Sequence, residues 1–202
     1  MPERNRVTPT GDIVAIPLRG AWLGNRGILH CGHEIVRFHA SPLWITCVLS
    51  FKGWTAPKWE PHRYTALFFH DEAVSLAAGH RPCALCRRGD YNAFRQASAA
   101  ARSRPVPSAA ELDNQLHSER IVRGSHRRQL HPSTWDTLPA GTFVLTDGTP
   151  ELVLDEAVVP WTTSGYGSPR ARPRRGSVDV LTPPASVAAL TAGYEPQLGV
   201  SL

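Results

Sequence analysis

The stretch from Phe68 to Phe94, FFHDEAVSLAAGHRPCALCRRGDYNAF, constrains this chain more than any other. Asp71 stands where a helix wants an N-cap, and Glu72 falls in the first turn, so DEAVSLAA is expected to be a short helix. Gly79 follows at the position that favours a left-handed residue, and Pro82 ends the helical run. Cys83 and Cys86 come next with two residues between them. That spacing lets both sulfurs face one ion from a tight knuckle. Tyr91 and Phe94 continue at helical spacing, which places Cys86 near the start of a second helix, where the helix dipole favours thiolates.

Three other uses of a cysteine pair compete with metal binding. A disulfide fits poorly in a chain with four cysteines and no secretory leader. A thioredoxin-like redox motif follows a strand and opens a long helix, whereas here a short helix precedes it. Two inert buried thiols remain the plain alternative. The expectation is a zinc half-site. Cys47, in the β-branched and aromatic run WITCVLSF, and Cys31, in ILHCGHEI, would complete a four-thiolate site with Cys83 and Cys86. Cys31 and Cys47 lie too far apart to form one knuckle, so they must come from different strands. His30, His33 or His80 could stand in for Cys31.

FFHDEAVSLAAGHRPCALC resembles the second half of the metal-binding domain of Ada-type DNA alkylation-repair proteins. It is also similar to small zinc modules appended to some bacterial nucleases. The likeness is carried by Phe69, Glu72–Ala73, Ala78–Gly79, Arg81–Pro82–Cys83 and Cys86. In Ada-type proteins four cysteines hold zinc, and one of an upstream pair accepts a methyl group from a DNA phosphotriester. The resemblance implies a zinc ion and a nucleic-acid setting. This chain departs from the family at the upstream pair, so the resemblance does not extend to methyl transfer onto Cys31 or Cys47.

The 202 residues, 42% hydrophobic, suffice for one moderate domain or two small ones. Eighteen prolines and 16 glycines imply many turns and short elements. No apolar run is long enough to span a membrane, and MPERNRVTPTGD lacks a leader's apolar core, so a cytoplasmic protein without a membrane partner is expected. The net charge of +5 is a moderate basic excess. Arg81, Arg87 and Arg88 flank the cysteine pair, and Arg170, Arg172, Arg174 and Arg175 form a later group with no acid between Ala157 and Val178. These seven arginines are candidate phosphate ligands for DNA or another nucleic acid. The competing reading is a set of solvated side chains.

The expected fold class is α+β, with short antiparallel strands and three or four short helices around a zinc-ribbon-like site. Residues 1–11 read as a flexible N-terminus, 12–101 as the zinc-binding module, and 102–202 as a second region that begins with a helix and continues as β structure. The boundary is the Pro/Ser/Arg stretch RSRPVPSAA. Ser108 caps the next helix, with Glu111 at the capping-box position. TFVLTDGTPELVL reads as a hairpin turning at Asp147–Gly148, and Pro184 to Ala192 as a helix. The segments EAVSLAAGHRP and SVAALTAGYEP echo one another, which a shared way of stopping a helix explains.

One further constellation bears on catalysis. Asp113 and His117 lie one helical turn apart, with Glu119 close by, and a carboxylate that orients a histidine is half of a general base. A solvated helix face is the alternative. Zinc deaminases carry H-x-E before P-C-x-x-C, and here the two motifs occur in reversed order. The preferred function is nucleic-acid binding in DNA repair or modification. The alternatives are an enzyme on nucleic acid, by alkyl transfer to a zinc thiolate or by hydrolysis through the Asp–His pair, and a zinc-stabilised protein-interaction module.

Overall fold

The computed structural model describes residues 1–199. At its centre lies helix α1 (Glu72–Ala77), and all six of its residues are buried. A helix this short gains little from its own hydrogen bonds, so burial on every side holds it. Asp71 caps it, Oδ1 accepting from Val74 N at 2.8 Å. Gly79 ends it at φ +87°. His80 N then bonds to Ser75 O and Gly79 N to Leu76 O, both at 2.9 Å, the pattern of a Schellman cap. A Cβ on Gly79 would come within 2.5 Å of Arg120 Cδ, so the position excludes a side chain on steric as well as conformational grounds.

Two sheets flank α1. The first has six strands in the order Arg81–Pro82, Ile45–Cys47, Trp22–Asn25, Leu67–Phe69, Arg6–Val7 and Ile13–Val14. It is mixed, because Arg81–Pro82 runs parallel to Ile45–Cys47, and Arg6–Val7 parallel to Leu67–Phe69. The second is antiparallel and holds seven strands between His131 and Val180. Its hairpin turns at Asp147 (φ +48°) and Gly148 (φ +77°), the type I′ geometry that an Asp-Gly pair prefers. The α+β class with many short antiparallel strands therefore holds, and the two parallel pairings are an addition to it.

The remaining helices are α2 (Arg88–Ala100), α3 (Ala109–Arg120) and α4 (Pro184–Thr191). Ser108 and Glu111 form the complete capping box at the start of α3. Helix α4 ends as α1 does, with Gly193 N bonded to Leu190 O and Tyr194 N to Ala189 O. The sequence echo is thus the same cap used twice.

The packing joins what composition divides. One core contains Trp22, Leu67 and Phe69 of the first sheet, Ala73 and Val74 of α1, and Phe143, Leu152 and Trp161 of the second sheet. A second core packs Tyr91 and Phe94 of α2 against Leu112 and Leu116 of α3 and Ala185 and Ala189 of α4. The two regions on either side of residue 101 therefore share their interiors. The first eleven residues, expected to be loose, include a sheet strand with Val7 2% exposed, and Asn5 O accepts from Phe68 N at 2.8 Å.

Candidate metal centre

Two short strands build the site. Ile45–Cys47 and Arg81–Pro82 pair in parallel with Arg81 opposite Ile45 and Pro82 opposite Thr46. Arg81 N bonds to Trp44 O at 3.2 Å and Cys83 N to Thr46 O at 2.9 Å, so the pairing extends one residue at each end. Cys83 thereby stands beside Cys47. The chain then turns through Ala84 and Leu85, and Cys86 comes back just ahead of α2. Ligand atoms of Cys47, Cys83 and Cys86 all lie within 4.8 Å of one another. Tetrahedral coordination at the usual metal–sulfur length needs sulfurs about 3.8 Å apart, so this trio can hold a metal ion.

The electrostatics of the thiols are uneven. Cys83 is pulled down to about 5, first by a hydrogen bond from Cys47, against the effect of burial, and with help from the backbone N–H groups of Cys86 and Leu85. Cys47 is pushed up by that same bond and by burial, and Cys86 is pushed up chiefly by burial. One thiolate is thus stabilised by its neighbours, and a bound cation would take the place of the remaining protons. Tyr64 stands close enough to feel all three sulfurs; burial first, then their charges, raise its hydroxyl to about 12.

The other proposed ligands lie elsewhere. Cys31 is exposed on a two-residue ribbon opposite Glu34 and is outside the trio, which corrects its expected role as fourth ligand. His30 is engaged with Thr65 Oγ1 at 2.7 Å and Glu60 O at 3.2 Å. His33 packs on Trp59, and His80 Nε2 accepts from Arg26 Nε at 3.2 Å. Among the described residues, then, three side chains could hold an ion at this site, and one of them, Cys86, is partly exposed.

The arginines divide. Arg81 is buried and makes a bidentate pair with Asp113, both contacts at 2.8 Å. Arg87 is buried and meets Glu72 at 2.7 Å and Asp90 at 2.8 Å. Arg172 donates to the carbonyls of Trp135, Leu138 and Leu154, and Arg170 pairs with Glu151. Each of those four is engaged within the fold, although Arg87 Nη1 is buried without a partner and the Arg170 side chain is 45% exposed. Arg88, Arg174 and Arg175 are exposed.

The expected Asp–His pair is not formed. Asp113 gives both carboxylate oxygens to Arg81, while His117 Nδ1 faces Arg120 Nη2 at 2.9 Å. Glu119 accepts from Gln115 Nε2 and from Ala185 N, both at 2.8 Å, tying α3 to α4. Helical spacing put Asp113 and His117 on one face, but a buried guanidinium outcompetes an imidazole for a carboxylate. The sequence reading missed a group around Trp44, formed by Arg26, His80, His39 and Arg120. A signal existed: Trp44 and His80 each stand three residues before a ligand cysteine, so they mark the opposite end of the same two strands.

Comparison of the chain with models of protein families, with curated proteins and with solved structures finds no match in any of the three. No helix among the described residues is long and apolar enough to cross a membrane.

Proposed function

We propose that this chain is a zinc protein that binds nucleic acid on the face around its three cysteines. The observation that carries the reading is the convergence of Cys47, Cys83 and Cys86 on one point. A donor set made only of thiols suits a soft or borderline ion, and zinc is commonly held by thiolates in tetrahedral geometry. Bound there, zinc would lock the end of the strand pair to the entry of α2.

Support for nucleic acid comes from what surrounds the site. Arg88 is exposed two residues after Cys86. The ribbon Ser50–Phe51 and Trp54–Thr55 follows Cys47 closely, with Lys52 exposed at its turn. Trp54 is 49% exposed and packs against Tyr64, 6.3 Å between ring centroids. A basic face carrying a half-exposed indole can neutralise phosphates and stack a base. The resemblance of the knuckle to Ada-type metal domains points the same way.

The three-ligand count favours a second reading, transfer of an alkyl group to Cys86, the partly exposed thiol next to exposed Arg88. A sulfur–carbon bond would form as the carbon–oxygen bond of a DNA phosphotriester breaks, and the phosphodiester anion would leave.

The test is metal analysis combined with binding of a labelled oligonucleotide over a salt series. One zinc per chain is expected, with a log–log salt slope corresponding to about two or three released counterions. Arg88→Glu and Trp54→Ala should each weaken binding about tenfold or more. Binding indifferent to salt and to both substitutions removes the nucleic-acid reading. A methylated Cys86 peptide after incubation with methylphosphotriester DNA would move the second reading to first.

A further inference from the structure

The opposite end of the strand pair holds a concentration of positive charge that no carboxylate among the described residues contacts. Arg26 and Arg120 are both 0% exposed and both lie over Trp44, their guanidinium carbons 4.1 and 3.9 Å from its ring centroid. The guanidinium of Arg128 lies beside them and donates to the carbonyls of Ala77, Arg120 and Leu181. None of the three takes part in an ion pair among the described residues. Asp113, whose charge reaches Arg120, is held by Arg81, and Asp12, whose charge reaches Arg26, is exposed. Arg26 Nη2, Arg120 Nε and Arg128 Nε are buried without a hydrogen-bond partner. Cations out of water without counter-ions are costly, so a fold that keeps three together has a use for their field or a ligand that relieves it.

Beside this group lies a cavity of about 620 Å³, which none of the three arginines lines. His117 links the two: its Nδ1 accepts from Arg120 Nη2 at 2.9 Å, and its ring lines the cavity. With Nδ1 accepting, the imidazole is neutral and carries its proton on Nε2, a donor of fixed identity. His39 packs on it, ring centroids 5.0 Å apart, and also lines the cavity. His126, Arg123, Ser118 and Ser125 add further donors, and no carboxylate is in the lining. Burial, and then the charge of Arg120, hold His39 below its usual range and His117 at about 4.

We propose that this cavity binds a phosphoryl oxyanion. A divalent cation does not fit, because the field repels it and the histidine nitrogens do not converge as the three thiols do. Hydroxyls, imidazole N–H groups and the Arg123 guanidinium around one space, with Arg120 behind His117, match a tetrahedral oxyanion with several acceptors. The volume accommodates a whole nucleotide. The shared chemistry is the phosphoryl group. It has two sources, a small phosphate ester or the backbone of a nucleic acid.

The test uses the full, metal-loaded chain. Inorganic phosphate should raise the melting temperature above that in sodium chloride of matched ionic strength, and should show a broadened ³¹P resonance in the presence of protein. The double variant Arg123→Ala/His126→Ala removes two exposed loop side chains, so the ligand-free protein should melt unchanged while its phosphate affinity falls about tenfold or more. His39→Ala should act in the same direction. Adenosine 5′-monophosphate and a short oligonucleotide without terminal phosphates then compete with inorganic phosphate. Displacement by the nucleotide alone assigns the site to a small ester, and displacement by the oligonucleotide assigns it to the backbone. Failure of all three probes to bind overturns the proposal, as does phosphate binding that survives both variants unchanged.

Discussion

Segments 44–47 and 80–83 run side by side, yet their two ends have opposite chemistry. One end brings together Cys47 and Cys83, with Cys86 behind them. The other brings together Trp44 and His80, ring centroids 5.2 Å apart, among buried guanidiniums. The buried arginines near the thiol end are neutralised by carboxylates: Arg81 by Asp113, and Arg87 by Glu72 and Asp90. Those two also lie over Tyr91 and Trp22, whereas the arginines at the far end rest on aromatic faces and backbone carbonyls with no carboxylate among the described residues. The contrast shows two ways to settle a buried cation. A carboxylate partner fixes geometry and is costly to break. An aromatic face and carbonyls hold the cation through weaker contacts and leave its field free to act on something else.

The largest difference between the ends should appear on removing a thiol. Cys83→Ser takes away the ligand shared between the strand pair and the knuckle. It should abolish stoichiometric zinc binding and cost about 4 kcal/mol or more, lowering the melting temperature by roughly 10 °C. Cys31→Ser, on the exposed ribbon, should change neither metal content nor melting temperature. Equal zinc in the two variants, by metal analysis after dialysis, would show that the trio is not the metal centre.

The next contrast is between the two kinds of buried arginine. Arg81→Met strands the Asp113 carboxylate in the interior, where the pair has side chains only 3% and 10% exposed. Breaking such a pair costs about 3–5 kcal/mol. Arg26→Met removes a cation that has no carboxylate partner and leaves a chain of similar length between Phe38 and Trp44. That substitution should cost less than Arg81→Met, about 1–3 kcal/mol, since methionine keeps the packing and ends the desolvation of a charge but leaves His80 Nε2 and Gly11 O without their donor. Urea unfolding of both variants decides the matter. Comparable losses would mean that the aromatic sandwich holds its cation as firmly as a carboxylate does.

Local chemistry was legible in the sequence where it depends on neighbours in the chain. The Asp71 and Ser108 caps, the Asp147–Gly148 turn and the Cys83–Cys86 knuckle each depend on residues within a few positions of one another, and each is present. What stayed hidden depends on contacts between distant segments. Arg81 looked like a phosphate ligand because its partner Asp113 lies 32 residues away. Asp113 looked like half of a dyad for the same reason. Cys47 joins the knuckle because a parallel pairing sets it beside Cys83, whereas Cys31 is carried off on a separate ribbon. Hydrophobic pattern alone does not reveal that the Pro/Ser/Arg stretch lies between two parts of one interior.

The smallest effect separates the ends by pH. His80 is fully buried, and burial first, then the charges of Arg26, Arg120 and Arg128, hold it well below its ordinary value. It is therefore neutral in the folded chain, and its Nε2 accepts from Arg26. In the unfolded chain the same imidazole binds a proton near pH 6.5. Below that pH the unfolded state holds more protons than the folded one, so stability falls as pH falls, by about 1.4 kcal/mol per pH unit for one such group. The loss begins near pH 6.5 and continues down toward the depressed folded value. His117, held at about 4, adds to it in the same direction. Glutamine can still accept from Arg26 Nε but cannot titrate. His80→Gln should therefore flatten the decline between pH 6.5 and 5, which comes to about 2 kcal/mol at the lower limit. The measurement is unfolding free energy against pH for the two proteins. Parallel curves would show that His80 takes up its proton in the folded state as readily as in the unfolded one, and that the cations around Trp44 are screened.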